Sequence, residues 1–166
     1  MIICIVSDSH DHSELLATAV ESAQAQGAQA VIHCGDIIGA NTLRGLQRFG
    51  LPVHAVHGNN LGDFMALTRL ASQPDSVVRY YGDHANFELA GKRIFVTHYP
   101  HIARGMACTG DYDLVCCGHS HEALIEHVDN VRGGSTLLLN PGTVAGMNAP
   151  STYVLGDLRT GEFSIV

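Results

Sequence analysis

The sequence lacks the features of membrane-spanning and secreted proteins. No apolar run reaches the length of about 18 residues that a membrane-spanning helix needs. The opening Met-Ile-Ile-Cys-Ile-Val has neither the basic region nor the cleavage site of a signal peptide. The cysteines are five, an odd number, and Cys116 and Cys117 are adjacent within an apolar run, which argues against a disulfide framework. We therefore expect a cytoplasmic protein with reduced thiols and no membrane partner.

Charged residues are also scarce, at 15% of the chain, and the formal net charge is −7. This acidic balance argues against an extended nucleic-acid-binding surface, so a polyanion would have to meet a local positive site. A hydrophobic content of 46% over 166 residues is typical of one compact domain, and we expect a single domain over residues 1–166. The sequence leaves a monomer and a homo-oligomer equally open.

Strands and helices are predicted to alternate in the first half of the chain. The expected strands are 2–6, 30–34 and 53–57, and the expected helices are 13–26, 41–49 and 63–71. This alternation indicates right-handed crossovers and a parallel sheet.

The second half is predicted to contain more antiparallel pairing, with strands at 77–81, 86–89, 92–97, 114–117, 123–128, 136–139, 151–158 and 162–166. A short helix is expected around 102–108. The pattern predicts a mixed α/β architecture.

Polar side chains follow five of the predicted strands, at the point where each strand ends. These are Asp8, His10, Asp36, Asn59, His98, His119 and His121, and the chain contains eleven histidines in all. In an open α/β sheet, ligands bind outside the carboxyl ends of the strands. Each motif alone has an ordinary structural explanation, such as a helix cap or a turn, but their repetition after five apolar runs favours one shared site.

Carboxylate, amide and imidazole donors without a thiolate suit divalent ions such as Mn²⁺, Fe²⁺ or Zn²⁺, with Ni²⁺ a further candidate. Asp36 is placed to bridge two ions about 3.5–4 Å apart, as in two-metal hydrolases. Two such ions would more than offset the charges of Asp8 and Asp36, and they would provide the local positive site that an acidic protein needs.

The ordered set of motifs resembles the calcineurin-like metallophosphoesterases, in particular the small capless phosphodiesterases of the YfcE type. The matching segments are Asp8-Ser9-His10, Gly35-Asp36, Gly58-Asn59, His98, Gly118-His119-Ser120-His121 and Asn140-Pro141-Gly142-Thr143. The resemblance implies a four-layer α/β/β/α sandwich with two mixed sheets. It implies that one metal is bound by Asp8, His10, Asp36 and His121, and the second by Asp36, Asn59, His98 and His119.

The function that the resemblance implies is hydrolysis of phosphodiesters, and of monoesters as a second option, with two divalent ions, Mn²⁺ first among them. The hypothesis is that a hydroxide bridging the ions attacks phosphorus. Asn59, His98 and Asp36 are then the expected catalytic residues, and a small phosphoester is the expected partner. The alternative is a non-catalytic protein-binding scaffold of the same fold, like a retromer subunit that has a degraded metal site. The filled ligand positions favour the enzyme.

Three positions depart from the family pattern. Asn60 stands where many relatives have a histidine that protonates the leaving group, and an amide cannot take over that role. Tyr99-Pro100 follows His98 where relatives often have glycine, and no arginine follows Asn140-Pro141-Gly142-Thr143. The general acid and part of the phosphate clamp are therefore unassigned, and His12, His33, His57 and His101 are candidates that are more often core or surface residues.

Overall fold

The computed structural model describes residues 1–166, which form two sheets flanked by helices. The strands are β1 (Ile2–Val6), β2 (Ala28–His33), β3 (Val53–Ala55), β4 (Val78–Tyr80), β5 (His84–Leu89), β6 (Lys92–Thr97), β7 (Leu114–Cys116), β8 (Ala123–Asp129), β9 (Ser135–Pro141), β10 (Val154–Asp157) and β11 (Glu162–Ile165). The helices are α1 (Ser13–Ala25), α2 (Ala40–Arg44), α3 (Phe64–Ala71) and α4 (Pro100–Thr109). None of these helices has the length and hydropathy that crossing a membrane requires.

Local sequence signals set the start of α3 and both ends of α4. The Asp63 carboxylate accepts a hydrogen bond from the Ala66 N–H and caps α3. Pro100 occupies the first turn of α4, where its missing N–H costs nothing, and Gly110 ends that helix in the left-handed conformation. The helix predicted over 41–49 is instead α2 followed by a 3-10 turn at Gly45–Phe49, because Gly45 weakens the α-helix and Gly50 closes the turn with a φ of 66°.

The first sheet has the strand order β11-β10-β1-β2-β3-β4, and the second has the order β5-β6-β7-β9-β8. β1 to β4 are parallel, as predicted for the first half. The second half is mixed, because β6, β7 and β9 are parallel while β5, β8 and β11 pair antiparallel with their neighbours. β4 and β5 follow each other closely in the chain but belong to different sheets, so the chain crosses between the sheets at 81–83.

Three hydrophobic layers hold the sheets and helices together. In β1, Cys4 and Val6 face α1 to α3, whereas Ile3 and Ile5 face the second sheet. α4 covers the outer face of the second sheet through Ala103. This alternation follows from the two-residue period of a strand, and it produces the four-layer sandwich that was predicted. That prediction of the fold is confirmed.

His54 is a titratable side chain buried in the layer between the sheets. Its ring stacks on Phe87 at 4.3 Å between centroids, and Nδ1 lies 2.8 Å from the Tyr81 hydroxyl. Nε2 has no hydrogen-bond partner. Burial, aided by the charge of Arg79, lowers the pKa of His54 to about 4 from its ordinary value of 6.5. The folded protein therefore holds this ring neutral at a pH where the unfolded chain protonates it.

We expect His54 to make the folded protein less stable in mild acid. Its contribution is complete above pH 6.5, and it declines as the pH falls towards 4, because the unfolded chain then binds a proton that the folded chain excludes. The free energy of unfolding should fall between pH 7.5 and pH 4.5 in both proteins. The fall should be about 2 kcal/mol smaller in the His54→Leu variant than in wild type. Urea unfolding at both pH values measures this difference, and equal losses in the two proteins would contradict it.

Candidate metal centre

The seven predicted ligands lie together, at the carboxyl ends of five strands. β1, β2 and β3 of the first sheet deliver Asp8, His10, Asp36 and Asn59, and β6 and β7 of the second sheet deliver His98, His119 and His121. Backbone bonds join the loops, since the N–H of Asp8 donates to Gly35 O and that of His10 donates to Asp36 O, both at 3.0 Å. The site therefore spans the edges of two facing sheets, whereas the strand pattern alone predicted one shared edge.

Asp8, His10 and His121 form the first cluster of potential metal ligands. Asp8 is fully buried, and its Oδ1 lies 3.1 Å from Nε2 of His121 and 3.7 Å from Nε2 of His10. Asp8 Oδ1 and His10 Nε2 are both buried without a hydrogen-bond partner. A buried polar atom without a partner is costly, so these two atoms fit a bound cation better than a site of protein alone.

Asp8, Asp36 and His98 form the second cluster. Nε2 of His98 lies 3.4 Å from Asp36 Oδ1 and 3.1 Å from Asn59 Oδ1. Nδ1 of His119 lies 2.8 Å from the same Asn59 oxygen. Imidazole nitrogen, amide oxygen and carboxylate oxygen converge here without a thiolate, and this donor set suits a borderline or hard divalent ion.

Asp36 reaches both clusters with its two carboxylate oxygens. Oδ1 faces His98 at 3.4 Å, and Oδ2 lies 3.6 Å from Nε2 of His10. Asn60 holds this carboxylate in place, because its backbone N–H donates to Oδ1 at 3.0 Å and its side-chain amide donates to Oδ2 at 2.5 Å. The residue that replaces the histidine of many relatives thus orients the carboxylate between the clusters.

Hydrogen bonds to backbone carbonyls orient two of the ligand histidines. Nδ1 of His98 lies 2.9 Å from Cys34 O, and Nδ1 of His121 lies 2.9 Å from Met147 O. A carbonyl only accepts, so each Nδ1 carries the proton and each Nε2 presents its lone pair to the centre. Such outer hydrogen bonds are the usual way in which proteins fix the tautomer of a metal-binding histidine.

Strained backbone conformations accumulate at the same residues. Nine residues other than glycine have a positive φ. Five of these nine are predicted ligands: Asp8 (54°), His10 (41°), Asp36 (53°), His119 (72°) and His121 (60°). The left-handed region costs of order 1–3 kcal/mol for such residues and persists where the surroundings demand it, often at functional sites. The strained backbone therefore lowers the stability of the fold, and it directs these five side chains inward.

Asn140 and Thr143 support the loops of the site, a role that their motif did not reveal. The Asn140 amide donates to Gly118 O at 2.8 Å and to Ser120 Oγ at 3.0 Å. The Thr143 hydroxyl donates to Asp8 O at 3.0 Å. Their position after an apolar run and their place in the family motif were the sequence signals, and neither separated a ligand from a residue that holds a ligand loop.

The other histidines near the site lie outside both clusters. His33 is buried; it accepts the Gly35 N–H at Nδ1 and donates from Nε2 to Ser9 Oγ at 3.0 Å. Burial, and secondarily the neighbouring His98, lowers its pKa to about 3, so the ring is neutral. His57 contacts the Tyr80 hydroxyl and the Asp83 carboxylate, both at 2.5 Å. His12 and His101 are exposed.

Known proteins are similar to this chain in sequence and in fold. Residues 1–161 match the calcineurin-like phosphoesterase superfamily domain. A phosphodiesterase of Methanocaldococcus jannaschii is 30% identical over 148 residues, which cover 88% of this chain and 86% of that protein. The solved structure of an archaeal phosphodiesterase is 28% identical and superimposes with a TM-score of 0.87, over 100% of this chain and 99% of that one.

More distant structures share the fold alone. YfcE, a phosphoesterase from E. coli, has a TM-score of 0.68 at 19% identity, over 100% of this chain and 98% of that one. Vacuolar protein sorting 29 from Cryptosporidium parvum has the same TM-score and identity, over 99% of this chain and 95% of that one. Enzymes and a sorting protein are thus built on one architecture, so the fold by itself does not decide between catalysis and binding.

Proposed function

Because the chain belongs to the calcineurin-like phosphoesterase superfamily, we propose that it is a phosphodiesterase with a centre of two divalent metal ions. The family supports a hydrolase that acts on phosphoesters, and the phosphodiesterase relative at 30% identity favours diesters among them. The observation that carries the proposal is the convergence of seven donor side chains, among which Asp8 Oδ1 and His10 Nε2 are buried polar atoms without a hydrogen-bond partner.

The residues divide into two ligand sets. The first ion would be held by Asp8, His10, Asp36 and His121, and the second by Asp36, Asn59, His98 and His119. Mn²⁺ is the first candidate for these oxygen and nitrogen donors, and Fe²⁺, Zn²⁺ and Ni²⁺ suit them as well. When bound, such a pair supplies charge that polarises the phosphate and activates water for in-line attack.

The side chains of the site orient the carboxylate of Asp36 and are placed to orient the substrate phosphate. Asp36 holds the two ligand sets at a fixed separation, and Asn60 fixes the plane of its carboxylate. Asn59, which lies between His98 and His119, is placed to orient the phosphate. His98 is fully buried and donates from Nδ1 to Cys34 O, and in that tautomer of the neutral ring the Nε2 lone pair faces the centre. Esters with good leaving groups are favoured, because Asn60 cannot act as a general acid.

A scaffold function requires no intact metal site. The retromer-like alternative differs from the enzyme in this respect. Here all seven positions hold donor side chains, and hydrogen bonds to backbone carbonyls orient two of them, His98 and His121. The shared fold does not distinguish the two functions, but the donor set and its orientation favour catalysis.

Purified protein loaded with Mn²⁺ is expected to release nitrophenol from bis-p-nitrophenyl phosphate, and EDTA should abolish the release. Mn²⁺ should also raise the melting temperature, because an ion that binds only the folded state stabilises it by mass action. Absorbance measures the nitrophenol release, and a thermal-shift assay measures the melting temperature. Protein washed with Mg²⁺ and protein treated with EDTA are the controls. The absence of nitrophenol release with any of Mn²⁺, Ni²⁺, Fe²⁺ or Zn²⁺ would contradict the proposal and favour the scaffold.

A further inference from the structure

Three large apolar side chains are exposed directly after the metal-ligand loop of β3. Leu61 is 48% exposed, Phe64 48% and Met65 52%. The chain has nine exposed large apolar residues in total, so a third of them fall within these five positions. We call Leu61, Phe64 and Met65 the apolar patch. Single exposed apolar residues are common on a protein surface, whereas a local concentration of them is a feature of many binding sites.

The fold attaches the apolar patch to the metal centre. Asn60, the residue before Leu61, donates twice to the Asp36 carboxylate. Between Leu61 and Phe64, the N–H of Asp63 donates to Ile38 O at 3.1 Å. Ile38 lies two residues after Asp36 in the chain. At Gly62 a Cβ would lie only 2.1 Å from Ile38 O, so the two loops touch closely. The segment that carries the patch is therefore attached to the loop that carries Asp36, a member of the second ligand cluster.

The core does not need these side chains. α3 contacts the hydrophobic core through Leu67 and Leu70, which are buried. Phe64 and Met65 lie in the first turn of the helix, and Asp63, the one charged residue in the loop, uses its carboxylate to cap Ala66. Neither folding nor helix capping explains why this apolar surface is exposed. The surface is therefore available for contact with a ligand of the adjacent centre.

Charge around the centre limits what that ligand can be. None of the nine lysine and arginine residues lies in the loops that surround the site, at 7–12, 34–39, 56–63, 98–99, 117–122 and 142–153. A substrate phosphate would meet the metal ions, the imidazoles and the neutral amide of Asn59, with Asp8 and Asp36 offsetting part of the positive charge. This arrangement offers no side-chain cation for the second negative charge of a phosphate monoester.

We propose that the apolar patch binds one ester group of the substrate, and that the substrate is a singly charged phosphodiester with an aromatic or other flat apolar alcohol. This inference rests on the proposed function, because it concerns an ester group of the substrate whose phosphate the same centre would bind. Phe64 offers a ring for stacking, and Leu61 and Met65 add aliphatic surface beside it. A small aliphatic ester would leave the patch in water and gain nothing from it.

The test compares two diesters that share a leaving group and a charge, bis-p-nitrophenyl phosphate and methyl p-nitrophenyl phosphate. The quantity is the ratio of their kcat/KM values, and the intrinsic reactivity of each ester cancels when variants are compared. We expect Phe64→Ala to lower the aryl-to-methyl ratio about tenfold, and Leu61→Ala to lower it by a smaller factor. Val131→Ala is the matched control, since Val131 is 84% exposed in the turn after β8, and its ratio should equal that of wild type.

A binding measurement without turnover completes the test. Diphenylphosphinate and dimethylphosphinate carry one negative charge and cannot be hydrolysed, so calorimetry on Mn²⁺-loaded protein gives their affinities directly. Wild type should bind the diphenyl compound about tenfold more tightly, and Phe64→Ala should remove most of that preference. Circular dichroism shows that each variant is folded before it is used.

The outcomes separate the two proposals. If neither ester is hydrolysed with any of the four metals, the proposed function fails. If both are hydrolysed while Phe64→Ala and Leu61→Ala keep the wild-type ratio and the wild-type phosphinate preference, the function stands and the apolar patch has another occupant, such as a partner protein. That second result overturns the inference drawn from the patch.

Discussion

The Asp36→Asn variant is expected to lose both metal ions and nearly all hydrolysis of bis-p-nitrophenyl phosphate. One Asp36 oxygen faces His98 at 3.4 Å and the other faces His10 at 3.6 Å, so a single carboxylate serves both ligand sets. The amide keeps the shape but removes the negative charge that binds the ions. The fall in kcat should exceed about 100-fold, since even the loss of a residue behind a metal ligand costs 10–100-fold.

Elemental analysis after dialysis measures the metal content of this variant, and Asp129→Asn is the control. Asp129 is exposed at the end of β8, and it makes no ion pair, so its amide should leave metal content and rate unchanged. If Asp36→Asn retains one equivalent of metal with full affinity, Asp36 does not bridge. The shared ligand would then be Asp8, which belongs to both geometric clusters.

The Gly58→Ala variant is expected to disrupt the centre although it changes no ligand. A Cβ at this position would lie 2.1 Å from Asp36 Oδ1 and 2.8 Å from Cδ2 of His98. No side chain can approach so closely, so Asp36 or the Asn59 loop must move. We expect a loss of about 1–3 kcal/mol in the free energy of unfolding, together with weaker binding of both ions.

Gly105→Ala provides the matched control for this substitution. Gly105 lies within α4, where a Cβ meets nothing within 4 Å. Alanine favours a helix over glycine by about 1 kcal/mol, so this variant should be slightly more stable and should bind metal as wild type does. Calorimetric titration with Mn²⁺ measures the metal affinity of each variant, and urea unfolding measures its free energy of unfolding. Normal metal affinity in Gly58→Ala would show that the loop tolerates displacement and that its close packing is not needed.

Much of the fold could be predicted because its signals are local. The two-residue alternation in β1 assigns Ile3 and Ile5 to one side and Cys4 and Val6 to the other, and the structure uses both faces. Asp8, Asp36 and His119 come directly after apolar runs, and strands that end at the same edge bring such residues together. The family resemblance, which the domain match confirms, rested on the same ordered motifs.

Other features of the site could not be predicted, because they depend on which distant segments pack together. The predicted strands at 77–81 and 86–89 are close in sequence, yet β4 and β5 lie in different sheets, and no local pattern records that choice. The roles of Asn140 and Thr143 were also hidden, because a residue that supports a ligand loop has the same sequence context as a ligand. The ligand assignments themselves stay predictions until metal binding is measured.

The sequence by itself determined the order of strands and helices, the polar residues that end each strand, and the donor chemistry of the centre, because each is a property of a few neighbouring residues. Only the tertiary structure decided that Cys34 and Met147 supply the carbonyls behind His98 and His121, that Asn60 holds Asp36, and that the apolar patch stays exposed beside the site. The physical reason is that hydrogen-bond partners and solvent exposure are set by contacts between residues far apart in the chain, which a local pattern cannot encode.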